Sequence, residues 1–322
     1  MEVIIDLILI TVGFVLLIKG ADFLVDGASS MAKRFNVSDI AIGLTVVAMG
    51  TSAPELVVNI IGGTEGYNEV VFGNIIGSNI FNMFLILGVS AVIYPLTVHK
   101  NTLWKEVPYS LFATIVFFLL VNDVLFFGSE ESSLSTIDSI VLLVLFGGFL
   151  LQVFLNMKRT GETDTEEIEI MSQPRTIAMI FGGMVGLAIG GKLIVDSAVN
   201  IAHTFGVSEK LIGLTILAAG TSLPELATTA VAAYQKKSDL AIGNIVGSNI
   251  FNILLVLGMT GLVSSPLSYP VVLNTDLYVV MVGTFMLFLF MFTFGKYKLD
   301  REEGAIYLLG FVGYMFYLFT RL

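Results

Sequence analysis

Apolar residues fill long stretches of this chain, and most charged residues gather in the short intervals between them. Hydrophobic runs of bilayer length, about 20 residues each, fall near 3–25, 41–62, 70–94, 104–122 and 134–156. Five more follow near 176–200, 211–234, 239–263, 272–294 and 303–321. Runs this long and this apolar need lipid as their neighbour, so the pattern predicts an all-α membrane protein of ten transmembrane helices. The one long polar stretch, 158–175, reads KRTGETDTEEIEIMSQPR and divides the runs into five and five. It is expected to be a solvated linker. It is too short to fold alone, although its Glu162, Asp164, Glu166, Glu167 and Glu169 attract cations weakly.

The pattern also repeats. AIGLTVVAMGTSAPEL (41–56) returns as LIGLTILAAGTSLPEL (211–226), and FGNIIGSNIFN (72–82) returns as IGNIVGSNIFN (242–252). An offset of 170 positions superposes Val37-Ser38 on Val207-Ser208, Glu55 on Glu225, Ser78 on Ser248 and Asn82 on Asn252 without a gap. The expected units are therefore 1–157 and 176–322, with the linker 158–175 between them. A unit with an odd number of spans sends its copy into the membrane from the opposite side, which makes an inverted repeat.

Basic residues test that topology, because they accumulate in short cytoplasmic loops. Lys33, Arg34, Lys100, Lys105, Lys158, Arg159, Arg175, Lys236, Lys237, Lys296, Lys298 and Arg301 fall in connections one, three, five, seven and nine, against Lys210 alone in the others. Both termini are thus expected outside and the linker in the cytoplasm of a multi-pass cell-membrane protein. Trp104, Tyr94, Tyr109, Tyr234, Tyr269 and Tyr297 lie near predicted span ends and are expected to be interfacial anchors. The first run has no basic leader and no small-residue cleavage site, so it is read as a retained span rather than a signal peptide. Neither end carries a lipidation motif.

Composition narrows the chemistry. Of 322 residues, 56% are hydrophobic and 13% charged, with a mean hydropathy of +0.91, which removes the soluble classes. The 32 glycines have no three-residue period and suit close helix packing. There is no cysteine, and the two histidines, His99 and His203, have no ligand spacing, so disulfides, thiolate chemistry and zinc or haem sites are not expected. A net charge of −10 argues against nucleic acid as a partner. No cofactor is implied.

Two carboxylates remain to be explained. A glutamate inside a bilayer is costly unless it faces the bundle interior and meets a cation, and Glu55 and Glu225 each follow a proline within such a run. Pro54 cannot donate to the carbonyl of Gly50, nor Pro224 to that of Gly220, so the turns around Thr51 and Thr221 should loosen. Each break then gathers a carboxylate, two hydroxyls and freed carbonyls. Thr51 and Glu55, four apart, share a face. An all-oxygen set suits a hard cation such as calcium, which takes six to eight oxygens, and does not suit zinc or copper. Asn74, Ser78 and Asn82, like Asn244, Ser248 and Asn252, form four-spaced polar stripes expected to face the glutamates. Taken alone, the stripes and the Gly73/Gly77 and Gly243/Gly247 pairs read equally as helix packing. Their recurrence with a proline and a glutamate in both copies favours an ion site. Lys19 with Asp22, and Lys192 with Asp196, have the spacing of local ion pairs.

At these residues the chain resembles the calcium/cation antiporter superfamily, in particular its sodium/calcium exchanger branch. The resemblance covers essentially the whole chain and is carried by GTSAPE with GNIIGSNIFN and by GTSLPE with GNIVGSNIFN. It implies ten helices, with the motif-bearing ones as a central core and the first and sixth spans sliding across it. It also implies that Glu55 and Glu225 bind calcium with the carbonyls of Thr51 and Thr221. The same glutamates would serve sodium with Ser52, Ser222, Ser78, Ser248 and the carbonyls of Ala48 and Ala218. Asn82 matches the family's asparagine. Asn252 departs, since many exchangers carry aspartate there.

That departure bears on the counter-ion. Two glutamates bring −2, which one calcium or two protons neutralise, whereas three sodium ions leave a net +1 in a low-dielectric setting. The leading expectation is calcium exchanged for sodium by alternating access. Proton/calcium exchange at the same glutamates is the alternative, and a passive cation channel is the weaker one. An intramembrane hydrolase with paired carboxylates has no nucleophile or ligand motif to support it, so the chain is expected not to be an enzyme. The expected partners are calcium, sodium, in the alternative protons, and the lipid bilayer.

Overall fold

A computed structural model describes the chain except for Met1, 99–103, 129–130, 157–169, 206–217, 294–296 and Leu322. Its main helices are α1 (Glu2–Phe35), α2 (Asp39–Thr51), α3 (Ala53–Thr64), α4 (Asn68–Ile93), α5 (Glu106–Val121), α6 (Thr136–Asn156), α7 (Gln173–Thr204), α8 (Ala218–Thr221), α9 (Leu223–Tyr234), α10 (Ser238–Ser264), α11 (Asn274–Phe290) and α12 (Arg301–Arg321). Among the described residues seven helices are long and apolar enough to cross a membrane, or eight when α2 and α3 count as one bent span. His99, Lys100, Lys158, Arg159, Lys210, Lys296, Val207-Ser208, the body of the acidic linker and residues 211–217 of the second motif lie outside the described residues.

Helices α4 and α10 form the centre. In their most apolar stretches 72% and 94% of residues are buried, against 22% for α1 and 17% for α12, whose remaining faces are left for lipid. The two central helices cross antiparallel, with Asn79 opposite Asn252 and Asn82 opposite Asn249. Each carries a wide π turn at the same place in its repeat, Phe81–Ile86 and Phe251–Val256. Such turns insert a residue into the helical ladder and recur at functional sites.

The long helices α1 and α7 lie against one another antiparallel. Gly13, Gly20 and Gly27 recur every seventh residue along α1 and meet Gly190, Gly183 and Ile180 of α7. A Cβ on Gly20 would stand 2.9 Å from the Gly183 carbonyl oxygen, so only glycine permits this approach. Both helices outrun the predicted limits of 3–25 and 176–200. Their polar ends are paired rather than solvated: Ser30 bonds Thr176 at 3.0 Å and accepts from the Met171 amide at 3.1 Å, and Arg34 donates to the Met171 carbonyl at 2.5 Å. The predicted linker therefore gives way to helix at Gln173, and Arg175 lies within α7.

Two further expectations meet the side chains. Lys19 pairs with Asp22 at 3.3 Å and Lys192 with Asp196 at 2.9 Å, each within its own helix. Tyr269 is not an interfacial anchor: it is buried, its ring packs edge-on against Phe72, and its hydroxyl donates to Asn274. Trp104 and Tyr234 remain exposed as anchors should.

Candidate ion-binding site

The two motif helices break where their prolines require. α2 ends at Thr51 and α3 starts at Ala53 with Pro54 in its first turn, and the two axes differ by 47°. Ser52 joins them at φ −84°, ψ 6°, and Ser222 joins α8 to α9 at φ −88°, ψ 3°. A proline is tolerated at a helix start, where its missing N–H would be unpaired anyway, so each break turns one helix into two. Each glutamate then stands in the first turn of the second piece, and Glu55 and Glu225 are both completely buried.

The breaks meet across the interface between the two halves. Ser52 Oγ donates to Glu225 Oε1 at 3.0 Å. Thr51 Oγ1 donates to Asn244 Oδ1 at 3.1 Å and lies 3.5 Å from Ser248 Oγ, while Thr221 Oγ1 donates to Asn74 Oδ1 at 3.2 Å. The stripes, expected to face the glutamates, thus reach the threonine of the opposite copy's break. Ala48 and Ala218 precede the break serines Ser52 and Ser222 by four residues; the Ala48 carbonyl accepts from the Ser52 amide at 3.0 Å and from Thr51 Oγ1 at 3.3 Å.

Asn82 and Asn252 are the two ends of a chain of four hydrogen-bonded asparagines. Asn82 Nδ2 donates to Asn249 Oδ1 and Asn252 Nδ2 to Asn79 Oδ1, both at 3.0 Å, and Asn79 Nδ2 reaches the Asn249 carbonyl at 3.4 Å. Asn79 and Asn249 escaped the four-residue stripe because they sit three positions before its last member. The doubled GSNIFN contains them and was the available signal. Asn59 and Thr229 were also missed. Asn59 Oδ1 accepts from Asn74 Nδ2 at 2.8 Å and Thr229 Oγ1 from Asn244 Nδ2 at 2.9 Å, and the 170-residue offset relates these two bonds. Each fixes an amide so that its oxygen faces the other copy's threonine.

What remains unpaired defines the chemistry. Glu55 Oε1 and Oε2, Glu225 Oε2, Asn82 Oδ1, Asn252 Oδ1, Ser78 Oγ and Ser222 Oγ are buried and have no hydrogen-bond partner among the described residues. Leaving buried polar oxygens unmatched costs about 1–3 kcal/mol each, and carboxylates cost more, so these atoms would gain from a cation or water among them. Only oxygen is offered. Among the described residues no three histidine, cysteine, aspartate or glutamate side chains converge, and the charged oxygens here are those of two carboxylates.

A cavity of about 2010 Å³ runs between α7 and the α2–α4 side of the core and reaches Asn74, Thr221 and both prolines. Gly73 and Gly77 line it, whereas Gly243 and Gly247 pack on α2 against Gly43, Leu44 and Ala48. The packing expected of both glycine pairs is thus seen for the second.

A family model described as sodium/calcium exchanger protein matches residues 5–155 and 175–320. A putative antiporter, CaxA, from Alkalimonas amylolytica is 38% identical over 97% of this chain and 98% of its own. The sodium/calcium exchanger MaX1 of Methanosarcina acetivorans is 30% identical over 98% of this chain and 99% of its own. A solved structure of the sodium-calcium exchanger NCX_Mj superposes with a TM-score of 0.82 at 32% identity, covering 96% of this chain and 97% of that one. With its twin helix breaks and oxygen-only site, this chain belongs to the sodium/calcium exchanger family, a family of membrane transporters and not of enzymes.

Proposed function

We propose that the chain moves calcium across the membrane in exchange for sodium, both ions competing for Glu55 and Glu225. The observation that carries this reading is the pair of fully buried carboxylates on facing helix breaks, surrounded by unpaired neutral oxygens. Calcium takes Glu55 and Glu225 with the carbonyls of Thr51 and Thr221. Sodium ions distribute over the same glutamates with Ser52, Ser222, Ser78, Ser248, Asn82, Asn252 and the carbonyls of Ala48 and Ala218. Because a site holding two unneutralised carboxylates is costly to bury, only the loaded form passes between faces, and competition becomes coupling.

In this reading the helices form ten spans, two inverted five-helix repeats at 1–157 and 176–322 joined by 158–175. Both termini lie outside the cell and the 235–237 turn, with its two lysines, lies in the cytoplasm. The antiparallel crossing of α4 and α10 and the distribution of basic residues support it. One observation favours a second reading: asparagine at both 82 and 252 leaves two charges, which two protons would balance as well as one calcium.

Calcium flux in proteoliposomes under separately imposed sodium, proton and potassium gradients separates these. A sodium gradient should drive calcium uphill, and Glu55→Gln or Glu225→Gln should abolish the flux. Flux driven by protons alone would transfer the assignment to proton exchange, and full activity in both variants would overturn the site.

A further inference from the structure

Helix α1 is fastened to the turn between α9 and α10. Lys237 Nζ lies 2.9 Å from Asp26 Oδ1, with the lysine side chain only 10% exposed, and Gln235 Nε2 donates to Asp22 Oδ1 at 3.4 Å. The 170-residue offset carries Asp22 to Lys192, Asp26 to Asp196, Gln235 to Glu65 and Lys237 to Tyr67. Every residue but one changes, yet each pair stays complementary. An aspartate with an amide becomes a lysine with a glutamate, and an aspartate with a lysine becomes an aspartate with a tyrosine hydroxyl.

The two turns share one backbone. Glu65, Gly66 and Tyr67 donate their amides to Ile61, Gly63 and Gly62, and Gln235, Lys236 and Lys237 donate theirs to Val231, Ala233 and Ala232. Gly66 and Lys236 both take positive φ, 81° and 61°. Side chains at equivalent places therefore leave the turns in equivalent directions. The packing differs: α1 lies on α9, but α7 stands away from α3, and the large cavity between them is lined by Val57 and Val58 on one side and Val185, Lys192 and Asp196 on the other. On that side Lys192 and Asp196 turn to each other, with side chains 75% and 55% exposed.

We propose that Glu65 with Lys192, and Tyr67 with Asp196, form a second latch that closes in the opposite limiting conformation. In that state α7 lies on α3 as α1 now lies on α9, the cavity is shut, and the Asp26–Lys237 and Asp22–Gln235 contacts are released. The proposal rests on the alternating-access reading above. Ion pairs that keep one partner in contact with water are weak, and Asp26 is 45% exposed here, which suits contacts made and broken in every cycle.

The chain contains no cysteine, so introduced thiols react without background. Asp26→Cys with Lys237→Cys, Glu65→Cys with Lys192→Cys, and the combination of all four are treated in proteoliposomes with a short cleavable dithiol-bridging reagent, and the linked peptides are read by mass spectrometry. Each pair should link in its own variant, and molecules of the four-cysteine variant should carry one link or the other, never both. Absence of the 65–192 link beside an efficient 26–237 link, or molecules carrying both, would overturn the proposal. This readout needs no transport, so it stands apart from a failure of calcium/sodium exchange in the unmodified protein. A second measurement avoids the thiols. Glu65→Lys should slow turnover about threefold to fivefold, what a half-exposed pair can bias, at unchanged calcium affinity, and adding Lys192→Glu should restore it; no recovery would also overturn the latch.

Discussion

Ser52 and Ser222 occupy equivalent positions beside the glutamates, but only the Ser52 hydroxyl makes a well-formed hydrogen bond to a carboxylate. Its hydroxyl donates to Glu225 Oε1 at 3.0 Å, both groups being buried, whereas Ser222 Oγ has no hydrogen-bond partner among the described residues. A hydrogen bond to a charged group contributes about 1.5–3 kcal/mol, roughly tenfold to a hundredfold in an equilibrium constant. The sign depends on the ion. Calcium in the proposed set does not use the serine hydroxyls, so Ser52→Ala relieves Glu225 of a competing donor and should tighten calcium about tenfold, the lower end of that range. Sodium does use Ser52 in that set, so its binding should weaken. Ser222→Ala has no such bond to lose and should weaken sodium while leaving calcium nearly unchanged. Calorimetric titration of calcium into each purified variant in lipid nanodiscs, with and without sodium, measures both affinities. Equal effects of the two substitutions on calcium, or weaker calcium binding in Ser52→Ala, would refute this assignment of the hydroxyls.

Two other outcomes follow from the packing. Gly20→Ala places a Cβ 2.8 Å from the Leu187 amide nitrogen and 2.9 Å from the Gly183 carbonyl oxygen, both backbone atoms, and should destabilise the α1–α7 pair by about 1–3 kcal/mol; Gly182→Ala, on the exposed face of α7, should be neutral when monomer retention after heating is compared. Asn59→Leu removes the acceptor of the Asn74 amide, and Thr229→Val does the same to Asn244, leaving a buried donor unpaired at about 1–3 kcal/mol; calcium half-saturation in the flux assay should rise in both, with Thr229→Ser restoring it.

The motif pairs were legible because each combines features that rarely coincide in an apolar run: a proline, an acid behind it, and the same order 170 residues later. Spacing also marked the local ion pairs of Lys19 and Lys192. Four-residue periodicity found Asn74, Ser78 and Asn82, but it missed Asn79 and Asn59, because their role lies in partners on other helices rather than in their own face. Tyr269 misled for a related reason. An aromatic near a span end reads as an interfacial anchor until the chain that covers it is known.

Hydrophobic pattern and duplication by themselves determined an all-α chain of long apolar helices and the places where two of them break, because bilayer length and proline's missing donor act on the local chain. Only the tertiary structure decided which atoms face one another. It gave Glu225 a hydroxyl partner that Glu55 lacks, joined four asparagines at the crossing of α4 and α10, and set α1 against one half of the core while α7 stands off the other. Two copies that are alike in sequence must occupy different arrangements at any one moment if one face is to be closed while the other is open. That difference is a property of packing, and no local pattern encodes it.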